Sequence, residues 1–155
     1  MLQLLNMKFY KLLVFLSLFS CSQPANPDPS TMAKEIESAD KAMSQLAGEI
    51  GFNNAVLQYA DSSIVKLSEG KPPIQGITAF SESYDPDKDI KTISWIPSYA
   101  EVAKSGELGY TWGTWTLNAP DTVLYGKYFT VWKKNAENKW KVVLDGGNGT
   151  NPPPK

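Results

Sequence analysis

Leu108-Gly109-Tyr110-Thr111-Trp112-Gly113-Thr114-Trp115-Thr116-Leu117-Asn118 decides the fold class. Three aromatic rings interleaved with threonine suit a pleated backbone, so this stretch predicts a long strand. Runs of the same character lie near 90–103, 124–134 and 139–146. The connections are Lys104-Ser105-Gly106-Glu107, Asn118-Ala119-Pro120-Asp121 and Asn135-Ala136-Glu137-Asn138, all short enough for an antiparallel meander. Pro97 cannot donate to a ladder and belongs at an edge or a bulge, while Gly113 and Gly126 relieve crowding where a strand bends. A curved sheet follows.

Upstream, the period changes from two to about three and a half. Starting from Ser30 as N-cap, Met32, Ile36, Ala39, Met43, Leu46 and Ile50 form a narrow apolar stripe on a long helix. Gly48 and Gly51 mark its break, and Phe52, Ala55, Val56 and Tyr59 continue as a second, shorter helix. Ile64 to Leu67 reads as a brief strand. Gly70-Lys71-Pro72-Pro73 then turns the chain into a third helix with Ile77, Phe80 and Tyr84 inward, and Asp85 to Asp89 is a charged loop. Helices first and strands last give an α+β class, a curved, mostly antiparallel sheet wrapped around N-terminal helices.

At the amino end, Lys8 and Lys11 precede an apolar run of eight, Leu12 to Phe19, too short for a permanent membrane span. Residues 1–20 read as a signal peptide. Leu18-Phe19-Ser20-Cys21 resembles the lipobox of bacterial lipoproteins, which implies cleavage before Cys21 and diacylglycerol on its thiol. Ser22 after the cysteine favours the outer membrane, with the domain facing the periplasm. Residues 21–30, carrying Pro24, Pro27 and Pro29, are an extended tether; residues 31–147 are the domain, and 148–155 a disordered tail.

Composition excludes several functions. The formal charge is −1, falling to about −3 once the leader's two lysines are gone, and all 15 basic residues are lysine. Without arginine, bidentate recognition of phosphate or guanine is missing, so nucleic acid is a poor partner. There is no histidine, and the one cysteine is Cys21. The usual general base, a catalytic thiol and a cysteine-ligated zinc are therefore absent from the domain. Asp85, Asp87 and Asp89 lack the spacing of a calcium loop, and no metal or cofactor is implied.

Together with the order of elements, Trp95-Ile96-Pro97, Ser105-Gly106-Glu107-Leu108-Gly109-Tyr110-Thr111-Trp112-Gly113, Gly126-Lys127-Tyr128 and Trp140-Lys141-Val142-Val143-Leu144-Asp145 resemble the SnoaL-like, ketosteroid-isomerase-like branch of the nuclear transport factor 2 superfamily. The resemblance covers residues 31 to 147. It implies a cone-shaped, cystatin-like α+β roll with a pocket between sheet and helices, often dimeric through the sheet. In the steroid isomerases, a segment similar to Tyr59-Ala60-Asp61-Ser62-Ser63-Ile64-Val65 leads to the general-base aspartate. That place falls here near Lys66, Leu67 or Ser68, none of which is a carboxylate.

Two acids remain as candidates for acid–base work, Asp145 and Asp61. Alternation places Asp145 with Lys141 and Val143, on the face opposite Trp140, Val142 and Leu144, where it would bond to the turn at Gly146-Gly147. Asp61 would end the second helix. The aromatic set is the stronger signal: Tyr59, Trp95, Tyr110, Trp112, Tyr128 and Trp132 are the expected pocket, with Trp115 on the opposite strand face from Tyr110 and Trp112. The expected function is a lipid-anchored envelope protein that binds a small, largely apolar ligand without turnover. The alternatives are an isomerase, hydratase or hydrolase using Asp145 or Asp61 with a tyrosine donor, and a dimeric structural subunit with a filled pocket.

Overall fold

The computed structural model describes residues 28–150 and residue 153. The leader, Cys21 and most of the tether lie outside the described residues, as do all but one of the last five positions.

Helix α1 spans Pro29–Ile50, and its cap is Asp28 rather than Ser30: the Asp28 carboxylate accepts from the Ser30 amide at 3.3 Å, and Pro29 takes the first turn, where no amide is needed. The helix passes through Gly48 and ends at Gly51. It buries a wider face than the stripe of large apolar residues, because Asp40, Ser44 and Ala47 join Met32, Ile36 and Met43 in the interior. α2 (Phe52–Tyr59) follows at once. Its start is pinned by the 85–89 loop: Asp89 accepts from the Asn54 amide at 2.7 Å, and the Phe52 amide donates to the Ile90 carbonyl at 2.8 Å. β1 (Ala60–Leu67), a two-residue β2 (Ile74–Gln75) and the short α3 (Ile77–Glu82) complete the first half, with Phe80 buried from α3.

The second half is the meander, β3 (Ile93–Val102), β4 (Leu108–Ala119), β5 (Thr122–Lys134) and β6 (Trp140–Thr150). β6 runs to Thr150, pairing Asn148, Gly149 and Thr150 with Lys127, Gly126 and Tyr125, so the ordered domain extends past residue 147. The six strands lie in the order β2-β1-β6-β5-β4-β3, antiparallel except that β1 runs parallel to β6. Pairing between β4 and β5 is continuous from Leu108↔Lys133 to Ala119↔Thr122. Elsewhere the register slips: once in β3 between Pro97 and Tyr99, once between β5 and β6 beside Val143, and once at the start of β1. Each slip adds local twist and bends the sheet. Pro97 stands on the edge strand at one of these points, as its missing amide requires.

α1 crosses the concave side of this sheet. Small inward residues on β4 let it approach: a Cβ at Gly109 would press on the Ile36 side chain and on neighbouring backbone. Ser44 on α1 fastens the edge strand, donating to the Trp95 carbonyl at 2.9 Å and accepting from the Trp95 amide at 2.9 Å. Thus the free polar edge of β3 is partly satisfied from within.

Candidate functional site: a ring-walled cavity over a buried ion pair

Between the open end of α2 and the concave face lies a cavity of about 190 Å³. Phe52, Ile93, Trp95, Trp115 and Tyr128 form most of its apolar wall, and Lys66, Leu67, Ser68, Asp145, Gly146 and Gly147 line the rest. Local sequence explains the wall. Trp115 stands opposite Gly126 in the β4–β5 ladder, and a Cβ at Gly126 would overlap the Trp115 indole, so glycine is needed for that ring to lie flat. Phe52 meets Trp95 edge to face at 5.7 Å between centroids, and Trp95 meets Tyr128 at 6.3 Å.

The polar part of the lining is an ion pair. Lys66 and Asp145 are register partners on the parallel strands β1 and β6, and their side chains, both largely excluded from solvent, form a direct salt bridge. Thr130 donates to the other Asp145 oxygen at 3.1 Å, and the Lys66 ammonium lies 4.4 Å from the centroid of the Phe52 ring. Expected by alternation on the far face, Asp145 instead points inward. The reason is the bulge at Val143: Trp132 pairs with Val142 and Val131 with Leu144, so one residue is skipped and the faces exchange beyond it. Lys66, Leu67 and Ser68 do line the cavity, and the carboxylate in its lining, Asp145, arrives from the neighbouring strand β6.

Behind the aromatic wall sits a second acid that the periodicity of α1 concealed. Asp40 is wholly buried, accepting from Trp95 Nε1 at 2.7 Å and from the Tyr128 hydroxyl at 2.8 Å. Burial raises its pKa above the ordinary carboxylate value, against the opposing effect of hydrogen bonds from Trp95, Thr111 and Tyr128. Burial likewise pushes the Tyr128 phenol far up, with the nearby Asp40 charge adding to it. With their protons committed to Asp40, the Trp95 indole and the Tyr128 hydroxyl offer the cavity ring faces and an acceptor oxygen, but no donor. An Asp exchanging with Ala39 in an otherwise apolar 4-4-3-4 series, Met32, Ile36, Asp40, Met43, Ala47, was the available signal.

The remaining aromatic candidates are divided between two other places. Tyr59 and Trp132 meet edge to face at 6.1 Å in the core, where the Trp132 indole donates to Thr111 at 3.0 Å; neither lines the cavity. Tyr110 and Trp112 are 39% and 46% exposed on the outer face of the sheet, and it is Trp115 that points inward. Their strand alternation is as expected, but the inward set is the one with small residues at Gly109, Thr111 and Gly113, where a larger side chain would meet Ile36 of α1 at Gly109 and the Ile96 backbone of β3 at Gly113. Asp61 accepts from the Ser63 amide at 2.9 Å and the Ser63 hydroxyl at 2.8 Å, bonds that hold its pKa down, and it lies outside the cavity. Among the described residues, no cluster of three or more acids is placed to hold a metal, and no helix is long and apolar enough to cross a membrane.

Comparison with known proteins bears on the fold. No family model matches the sequence, and no curated protein is similar to it. Solved structures do match. An NTF2-like protein of unknown function from Pseudomonas putida superposes with a TM-score of 0.64 at 10% identity, over 77% of this chain and 87% of its own. Another from Shewanella oneidensis gives 0.57 at 17% identity, over 74% and 96%. A ketosteroid isomerase-like protein from Erwinia carotovora atroseptica gives 0.58 at 14%, over 76% and 96%. A six-stranded, curved, mostly antiparallel sheet closed on one side by helices, shared along nearly the full length of these proteins, makes this the α+β cone of the NTF2-like, ketosteroid-isomerase-like fold.

Proposed function

We propose that the domain is a small-molecule binding module, holding a largely apolar ligand in the cavity without transforming it. The observation that carries this reading is the lining: six ring or aliphatic side chains surround one internally neutralised ion pair. Asp145 has both oxygens engaged, by Lys66 and Thr130, and Asp40 is sealed behind Trp95 and Tyr128. Neither acid is free to move a proton on a guest. The leader and the Leu18-Phe19-Ser20-Cys21 segment support placing the module in a bacterial envelope, tethered through lipidated Cys21 to the outer membrane and facing the periplasm.

A ligand that binds only the folded state stabilises it by mass action, by about 2.7 kcal/mol at one hundred times its Kd. For a domain of this size that is a rise of about 10 °C in melting temperature. Screening single-ring compounds by thermal shift should find such ligands, and Ile93→Trp, which fills the cavity, should abolish the shift. Ligands that still raise the melting temperature of Ile93→Trp, an absence of any hit, or steady consumption of a hit would each overturn the proposal.

The outer face supports a second element, pairing with another copy of the same chain. Ile96, Tyr99, Leu108, Tyr110, Trp112 and Phe129 are all substantially exposed on one side of the sheet, Ile96 at 69%. A contiguous apolar face of this kind is unusual on a monomer and suits a self-complementary contact. In sedimentation, Trp112→Glu is expected to convert a dimer into a folded monomer; a wild-type chain that sediments as a monomer at high micromolar concentration removes the pairing.

A further inference from the structure

We infer that the cavity selects a neutral, single-ring compound carrying one oxygen acceptor, which it holds against the Lys66 ammonium. This rests on the binding reading above and names the class of guest. Size sets the first limit. A cavity of roughly 150 Å³ lined by apolar side chains accommodates benzene; one of about 190 Å³ has room for a ring with a small substituent, and a larger guest would leave its remainder at the mouth, in solvent.

Donor supply sets the second. An ammonium carries three N–H donors. Asp145 takes one, the Phe52 face lies beside the ion, and the cavity borders the remainder. Among the other donors in the wall, the Trp95 indole and the Tyr128 hydroxyl are both directed to Asp40, which leaves the Ser68 hydroxyl and the Trp115 indole as neutral donors beside the ammonium. Lys66 is thus the wall's charged donor, and a guest oxygen near it gains a charge-assisted hydrogen bond inside an apolar enclosure.

Charge sets the third. Asp145 already neutralises Lys66, and Asp40 lies directly behind the Trp95 and Tyr128 rings of the same wall. A carboxylate guest would bring a further negative charge into a desolvated space that holds two acids and one cation. A carbonyl or hydroxyl accepts the same N–H without that cost.

Three probes of nearly equal shape separate these terms: ethylbenzene, acetophenone and benzoate, titrated into the wild-type domain and followed through the amide signals of Gly146 and Gly147. Acetophenone is expected to bind at least about tenfold more tightly than ethylbenzene, since hydrogen bonds to charged groups are worth that much or more. Benzoate is expected to bind at least about tenfold more weakly than acetophenone. In Lys66→Met/Asp145→Leu, which removes both charges together, ethylbenzene binding should persist and the preference for acetophenone should vanish. Equal affinity of ethylbenzene and acetophenone, a preference for benzoate, or a ketone preference that survives the double replacement would overturn the inference while leaving a binding cavity in place. Failure of all three probes would remove the binding reading itself. If the double variant does not fold, the order of affinities in the wild-type chain decides alone.

Discussion

Asp40→Ala is expected to lower stability by about 3 kcal/mol and the melting temperature by about 10 °C, although the residue touches no guest. The side chain accepts from the Trp95 indole on β3 and the Tyr128 hydroxyl on β5, and so ties α1 to two strands. Alanine leaves both donors facing a wall with no acceptor, and the indole is almost fully buried. Asp40→Asn keeps an oxygen for Trp95 and offers an amide hydrogen to the Tyr128 oxygen, so its cost at neutral pH should stay below about 1 kcal/mol.

The asparagine variant also reports on ionisation. Burial raises the pKa of folded Asp40 above the ordinary 3.8, so the native state holds this proton more tightly than the unfolded chain does. Its contribution to stability is therefore full below 3.8 and declines as pH climbs from there to the folded value, because the unfolded chain ionises first. Asparagine has no such decline. Urea melts of both proteins from about pH 3 to about pH 8 should show the difference between them moving in favour of Asp40→Asn over that interval and then levelling. A constant difference, or one moving the other way, would show that hydrogen bonding outweighs burial at this carboxylate.

Asp40 also marks the limit of what could be read from residues in order. β3, β4 and β5 were legible because β-branched and aromatic residues recur along their length, and short polar connections leave little freedom but a meander; β6 was legible only over its first half, before Gly146-Gly147-Asn148-Gly149. Helix α1 was legible from a stripe of large apolar residues. What makes Asp40 a core residue, however, are donors 55 and 88 positions away, and nothing within one turn of the helix reveals them. Asp145 was misplaced for a different reason: period-two alternation assumes an unbroken ladder, and the one-residue bulge at Val143 inverts the faces beyond it. A bulge leaves only a weak mark in a sequence, here a pair of adjacent valines. Tyr110, Trp112 and Trp115 were divided correctly between two faces, but choosing the inward face required knowing which one the helix covers. Three small residues at alternate positions, Gly109, Thr111 and Gly113, were the clue to that, since neighbouring elements lie closest where side chains are smallest, Ile36 of α1 at Gly109 and the β3 backbone at Gly113.

The largest effect of any single change should come from the ion pair in the cavity lining. Lys66→Met leaves the Asp145 carboxylate with Thr130 alone, and Asp145→Leu leaves the Lys66 ammonium with only the Phe52 ring; each is expected to cost about 3 to 5 kcal/mol, because an uncompensated charge is stranded in a desolvated site. Replacing both at once removes the stranded charge and substitutes side chains of similar volume, so Lys66→Met/Asp145→Leu should lie within about 1 kcal/mol of the wild type. A double-mutant cycle in urea would then give a coupling of several kcal/mol, well above the few tenths seen for independent sites. Costs that simply add would mean the two charges are separately hydrated, and the interior would be too wet to discriminate among guests by charge. The near-neutral double variant matters for function more than for stability. If the fold loses little when the pair is replaced by hydrocarbon, burying two charges beside Trp95, Trp115 and Tyr128 is of little use to folding, and the remaining use is to present a fixed, internally balanced donor to whatever enters the cavity.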